Sequence, residues 1–329
     1  MTILNTCLCG LRRGGAAALA ALSLGGAQAA DKIVLGTNWF AEAEHGGFYQ
    51  ALATGLYKKY DLDVTIKMGG PQVNGIQLLA GGMIDIYMGY DFQTLQAAEQ
   101  GVPVTTIAAF FQKDPQALLA HPDVKRFEDL KGRPIYIAGA ADVTFWPWLK
   151  NHYGYTDAQK RTYAFSVQPF LADKTSAQQG YVTSEPFAIE QGGVKPTILL
   201  MADKGYPPYA TTLVTLRKTE AARSDALARF VKASAEGWAS YFKDPTPGNA
   251  LIKKDNAKMT DEQIAFGIAK MKEFGIVTGG DAARMGIGVM TDTRWKQTFD
   301  VMVKSGQIKP GFDYKQAYTL KYVSALPLP

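Results

Sequence analysis

Residues 32–66, KIVLGTNWFAEAEHGGFYQALATGLYKKYDLDVTI, decide the fold. Lys32–Gly36 is a short apolar run closed by glycine and reads as a strand. Gly47–Thr54 spaces its apolar residues as a helix does, and Asp63–Met68 returns to a strand pattern. A strand, a helix and a strand in so short a stretch make one unit of an α/β sheet. Between the first strand and the helix stands NWFAEAEHGG, with a tryptophan, two acids, a histidine and two glycines. Such loops follow the C-terminal ends of strands, where α/β sheets place ligand crevices.

The alternation continues outward. Val73–Ala80 reads as a helix closed by Gly81-Gly82, Ile84–Met88 as a strand, Asp91–Glu99 as a helix stopped at Gly101, and Val104–Phe111 as a strand. Lys113-Asp114-Pro115 and His121-Pro122-Asp123 then break the rhythm. A second α/β run follows: strand Pro134–Ala138, helix Phe145–Tyr153, strands near Tyr163–Val167 and Gly180–Thr183, helix Phe187–Gln191 and strand Ile198–Ala202. Thr211–Leu216 reads as a strand returning to the first unit, and from Ser224 onward the pattern is helical. This predicts an α/β protein of two lobes with two chain crossings, one lobe built from residues 31–112 plus 217–329 and the other from 113–216.

Residues 1–29 read as a signal peptide. Arg12 and Arg13 precede the apolar run Ala16–Leu24, and Ala27-Gln28-Ala29 offers the small residues of a cleavage site. Gly14-Gly15 fits a twin-arginine motif poorly, which favours general secretion. Cys7 and Cys9, the two cysteines of the chain, leave with the leader. The mature chain then has no disulfide, no thiolate metal site and no cysteine nucleophile. Export without disulfides points to a bacterial periplasm. The formal charge of +5 becomes +3 once Arg12 and Arg13 are lost, and no basic cluster of the size nucleic acid or anionic lipid needs is present. Beyond the leader, no stretch reaches the roughly 18 apolar residues of a membrane helix.

The chain carries no P-loop, serine elbow, HExxH or dinucleotide glycine motif. His45, His121 and His152 lack ligand spacing, so no metal or cofactor is expected. The candidate binding residues sit instead at strand-to-helix junctions. Trp39 offers a flat face for stacking or for the core, Glu44 and His45 offer polar groups, and Gly46-Gly47 permits close backbone approach at a helix start. Tyr90-Asp91 follows a strand, with Asp91 either a helix cap or a ligand acceptor. Thr144, after GAADV, offers a hydroxyl, and Glu185 of SEP is either a cap or an acceptor facing the cleft. Tyr206-Pro207-Pro208-Tyr209 is a rigid aromatic turn; Tyr209 and Trp146 add rings.

The succession Asn38–Tyr49, GLYKKYDLDVTI (55–66), GGMIDIYMGY (81–90), AAEQGVPV (97–104), DLKGRPIYIAG (129–139), EPFA (185–188) and the ending GQIKPGFDYKQAYTLKYV resembles the periplasmic solute-binding proteins of ABC importers. Within them it is similar to the branch of sulfonate, nitrate and thiamine-pyrimidine-precursor binders. The resemblance implies the two-lobed periplasmic binding protein fold (type II), a monomer that closes on a small molecule and passes it to a permease in the inner membrane, with no bond made or broken. It places Trp39, His45 and Glu185 at the ligand. Related pyrimidine synthases carry a cysteine-rich run where this chain has Tyr206–Thr211, which counts against synthase activity. Aromatic rings beside Glu44, Asp91 and Glu185 favour a nitrogen-bearing heteroaromatic solute over a sulfonate, taurine or nitrate. In this reading Trp39 and Tyr209 stack, His45 and Glu185 hold the ring's polar edge, Asp91 accepts a hydrogen bond and Thr144 completes the second lobe's contacts.

Overall fold

The computed structural model of the chain describes residues 29–324 together with Leu326 and Pro327, so the proposed leader lies outside the described residues except for Ala29. Ten strands form two five-stranded sheets. The first contains β1 (Asp31–Gly36), β2 (Leu62–Lys67), β3 (Ile86–Gly89), β4 (Val104–Phe111) and β10 (Ala210–Leu216), in the order β2-β1-β3-β10-β4. The second contains β5 (Gln116–Ala120), β6 (Ile135–Ile137), β7 (Lys160–Thr162), β8 (Ala177–Tyr181) and β9 (Thr197–Leu200), in the order β7-β6-β8-β5-β9. β1 lies parallel to both neighbours, with Leu35 facing Ile66 and Ile86. β6 plays the same part in the second sheet.

Each crossing inserts one antiparallel strand into the sheet it enters. β5 pairs with β8 and β9, and β10 with β3 and β4. Strand β10 therefore belongs to the first lobe, and the second lobe ends near Tyr209 rather than at Leu216. Three second-lobe strands also depart from expectation. β5 was hidden by its length and by the prolines on either side of a continuous apolar run, QALLA. β7 stops at Thr162, leaving 163–167 as a loop. β8 begins at Ala177, ahead of the expected Gly180; Gln178 and Gln179, polar residues in a central strand, mask its start in the sequence.

The helix Ser224–Lys243 closes the first lobe. Leu227, Phe230, Val231, Ser234, Trp238 and Tyr241 are buried at helical spacing, a stripe that lies against the sheet and the Gly46–Ala53 helix. Backbones meet there: a Cβ on Gly237 would stand 2.3 Å from the Gly47 carbonyl oxygen.

One side chain joins both crossings. Arg294, in the helix Asp292–Lys304, donates to the carbonyl oxygens of Pro207 and, at 2.9 Å, of Gln112. Its guanidinium lies 5.1 Å from the centre of the Tyr209 ring. Arg294 thus ties both chain crossings to one helix of the first lobe.

Candidate functional site

A cavity of about 180 Å³ opens between the lobes where β1, β3 and β8 end, more than ten times the roughly 10–15 Å³ one water requires. The site therefore has room for a small organic molecule. The first lobe contributes Asn38, Trp39, Glu42, Glu44 and His45 from the loop after β1, Tyr90 after β3, and Phe111 and Thr211 from β4 and β10. The second contributes Gln116, Phe165, Gln179, Tyr181, Ser184 and Glu185.

Local chemistry shapes the loop after β1. The Thr37 hydroxyl donates to the Trp39 carbonyl at 2.8 Å and accepts the Gly69 N–H at 2.9 Å, bending the chain back at once. Asn256 Nδ2 donates to the Ala41 carbonyl at 2.9 Å. A single helical turn, Ala43–His45, then buries Glu44 and His45, and the two glycines behind it sit under Tyr241 and Trp238.

Rings from both lobes meet at the cavity. Trp39 and Phe165 lie 5.1 Å apart at 44° across the cleft, and Tyr163 backs Phe165 at 5.3 Å. Phe165 has φ +57° and Thr211 φ +49°, left-handed values that a ring-bearing or β-branched residue rarely adopts. Each costs roughly 1–3 kcal/mol and persists where surroundings impose it. With Asp61 they are the described non-glycine residues at positive φ, and two of the three line this cavity.

The site's charge is one-sided. Glu42, Glu44 and Glu185 line it, and no lysine or arginine does so among the described residues. Burial is the main cause that raises all three carboxyls, with Glu185 adding to the rise of the other two. Glu44 is pushed up to about 7 although the Thr183 hydroxyl of the other lobe donates to it. Glu185 accepts the Tyr181 N–H at 2.8 Å and the Tyr163 hydroxyl at 3.1 Å. Burial drives His45 the other way, down to about 3, so its imidazole is neutral.

Of the residues singled out in sequence, Trp39, Glu44, His45, Tyr90 and Glu185 line the cavity. Asp91, Thr144, Tyr209 and Trp146 do not. Asp91 is turned into the first lobe, where it accepts the N–H groups of Phe92 (2.7 Å) and Tyr209 (2.9 Å) and the Thr298 hydroxyl (2.9 Å). Tyr209 is fully buried beneath Arg294. The Thr144 hydroxyl donates to the Ala140 carbonyl of its own turn at 3.0 Å. Trp146 is in the second lobe's core, its indole N–H on Asp157 at 2.8 Å. Glu42, Phe165, Gln116 and Thr211 were missed. Glu42 was in plain view two residues before Glu44; the other three lie in a misread loop, an unread strand and the entrance to β10.

The carboxyls predict a pH dependence. A buried acid raised above its unfolded value keeps, when folded, a proton that the unfolded chain has lost, so stability falls as pH rises between the two values. Glu44 acts this way from 4.5 to about 7, Asp114 from 3.8 to about 7 and Asp91 from 3.8 to about 6. His45 opposes them, since its stability contribution is lost as pH falls from 6.5 toward 3. The acids outnumber the imidazole. The melting temperature of the unliganded protein is expected to fall between about pH 5.5 and about pH 7.5, and Glu44→Gln to reduce that fall. A melting temperature that climbs across this interval in both proteins contradicts the assignment.

Comparison with known proteins gives a family and a fold. The family model described as NMT1/THI5 like matches residues 42–247. The riboflavin-binding protein RibY of Chloroflexus aurantiacus is 25% identical over 238 residues, which are 70% of this chain and 67% of that protein. The 4-amino-5-hydroxymethyl-2-methylpyrimidine phosphate synthase THI11 of Saccharomyces cerevisiae is 27% identical over 127 residues, 38% of this chain and only 37% of the synthase. The periplasmic aliphatic sulphonate binding protein SsuA of Escherichia coli superposes with a TM-score of 0.68 at 14% identity, covering 91% of this chain and 96% of that one. The likeness establishes the periplasmic binding protein fold.

Proposed function

This chain belongs to the NMT1/THI5-like family, and from that premise we propose that it is the periplasmic substrate-binding component of an ABC importer, capturing a small nitrogen-bearing heteroaromatic solute such as a thiamine pyrimidine precursor. It makes and breaks no bond; it closes on its cargo and delivers it to a permease of the inner membrane. The observation that carries the reading is the cavity's lining: three carboxyls, no lysine or arginine among the described residues, and rings from both lobes. Amino and ring N–H groups donate to the carboxyl oxygens while a planar ring lies against Trp39 and Phe165. A sulfonate or nitrate would find no lysine or arginine among the described lining residues to balance its fixed charge. The names of two relatives, one riboflavin-binding and one a pyrimidine synthase, each concern a nitrogen heteroaromatic.

Closure follows from ligand preference for the state in which the lobes meet. A thermal-shift screen over aminopyrimidines, flavins, taurine, alkanesulfonates and nitrate tests the solute class, because a ligand that binds the folded form raises the melting temperature. An aminopyrimidine or flavin is expected to raise it and the anions to leave it unchanged. Stabilisation by a sulfonate or nitrate alone would overturn the reading.

A further inference from the structure

Besides its carboxyls, the cavity is lined by buried donors. The Glu42 N–H donates to His45 Nδ1 at 3.3 Å, so Nδ1 holds a lone pair. A neutral imidazole then carries its proton on Nε2. That Nε2 is buried in a side chain only 1% exposed, belongs to a residue lining the cavity, and has no partner among the described residues. Gln116 Nε2, on the opposite lobe, is likewise buried and unpartnered, and so is the acceptor Asn38 Oδ1.

Resting on the solute class proposed above, we infer that the ligand presents a hydrogen-bond acceptor to His45 Nε2–H as well as N–H donors to the carboxyls, and that His45 is the residue distinguishing a ring nitrogen from a ring carbon. An aliphatic amine or polyamine satisfies the glutamates but leaves the His45 and Gln116 N–H groups buried without acceptors. Leaving a buried donor unpaired is costly, and sites built around such a donor reject analogues that lack its partner. An amino-substituted nitrogen heterocycle satisfies both sets, its ring nitrogen accepting while its amine donates.

Two measurements test this. In 15N-labelled unliganded protein, long-range 1H–15N spectra are expected to show the Nε2–H tautomer of His45 from about pH 5 to pH 8, its signals identified by their loss in His45→Gln; an Nδ1–H or imidazolium form in that interval overturns the inference. Calorimetric titration then compares 4-aminopyrimidine with aniline, which has the amine and ring but no ring acceptor. Wild type is expected to prefer 4-aminopyrimidine at least about tenfold, His45→Phe to lose the preference, and His45→Gln, which restores an N–H, to recover part of it. A His45→Phe protein with unaltered circular dichroism that keeps the preference overturns the inference. Failure of wild type to bind either probe would instead count against the solute class, while the nitrogen spectrum still decides whether His45 presents an N–H.

Discussion

Glu185→Gln is expected to lower affinity for an aminopyrimidine about fiftyfold, the range of a hydrogen bond to a charged group. Glutamine keeps the shape: its carbonyl can accept the Tyr181 N–H, and its amide N–H can donate to the Tyr163 hydroxyl, which reverses that bond but keeps it. Folding should therefore change little. The charge is what disappears, and with it a cause of the raised carboxyls at Glu42 and Glu44; both should ionise at lower pH in the variant. Titration calorimetry alongside thermal melts reads both effects. Equal affinity in a variant of equal stability would remove Glu185 from the binding site.

The largest effect on stability is expected from Gly47→Ala. The added methyl carbon would stand 2.2–2.4 Å from Trp238 ring atoms, and that indole is fully buried between Phe48, Phe111 and Tyr241. Neither partner has room to retreat without moving a helix. Overpacking of this kind costs about 3 kcal/mol, to be read as a lower denaturant midpoint at unchanged slope. Since the same helix begins at the turn bearing Glu44 and His45, ligand affinity should fall as well. A variant as stable as wild type would show that the two helices are less closely packed than the distances state.

The first lobe was legible because its strands are long, apolar and separated by glycine-closed helices. β1 and β4 appear within a residue or so of where the pattern puts them. The second lobe was harder to read for physical reasons. A strand buried on both faces, such as β5, has no alternation to reveal it, and β8 carries glutamines in its centre. Phe165 illustrates the cost of misplacing a strand: read as part of an extended run, it is a strained loop residue whose ring faces Trp39. At the site, residues in the loop after β1 could be found because that loop follows a strand end. Asp91 and Tyr209 could not be told from ligand residues by position alone. Asp91 points inward because the Tyr209 and Phe92 N–H groups and the Thr298 hydroxyl need an acceptor there, and the Tyr209 ring lies inward against Arg294 with its hydroxyl accepting the Thr291 N–H, long-range demands that no local pattern records.

The central claim is that carboxyls and rings from facing lobes enclose one nitrogen-bearing solute. A crystal structure of the full chain with 4-aminopyrimidine tests it most directly. The account predicts the ring between Trp39 and Phe165, the amine on the carboxylates of Glu42, Glu44 or Glu185, and a ring nitrogen on His45 Nε2. Density for the heterocycle outside this cavity, or an anion held inside it with the three glutamates turned away, would contradict it.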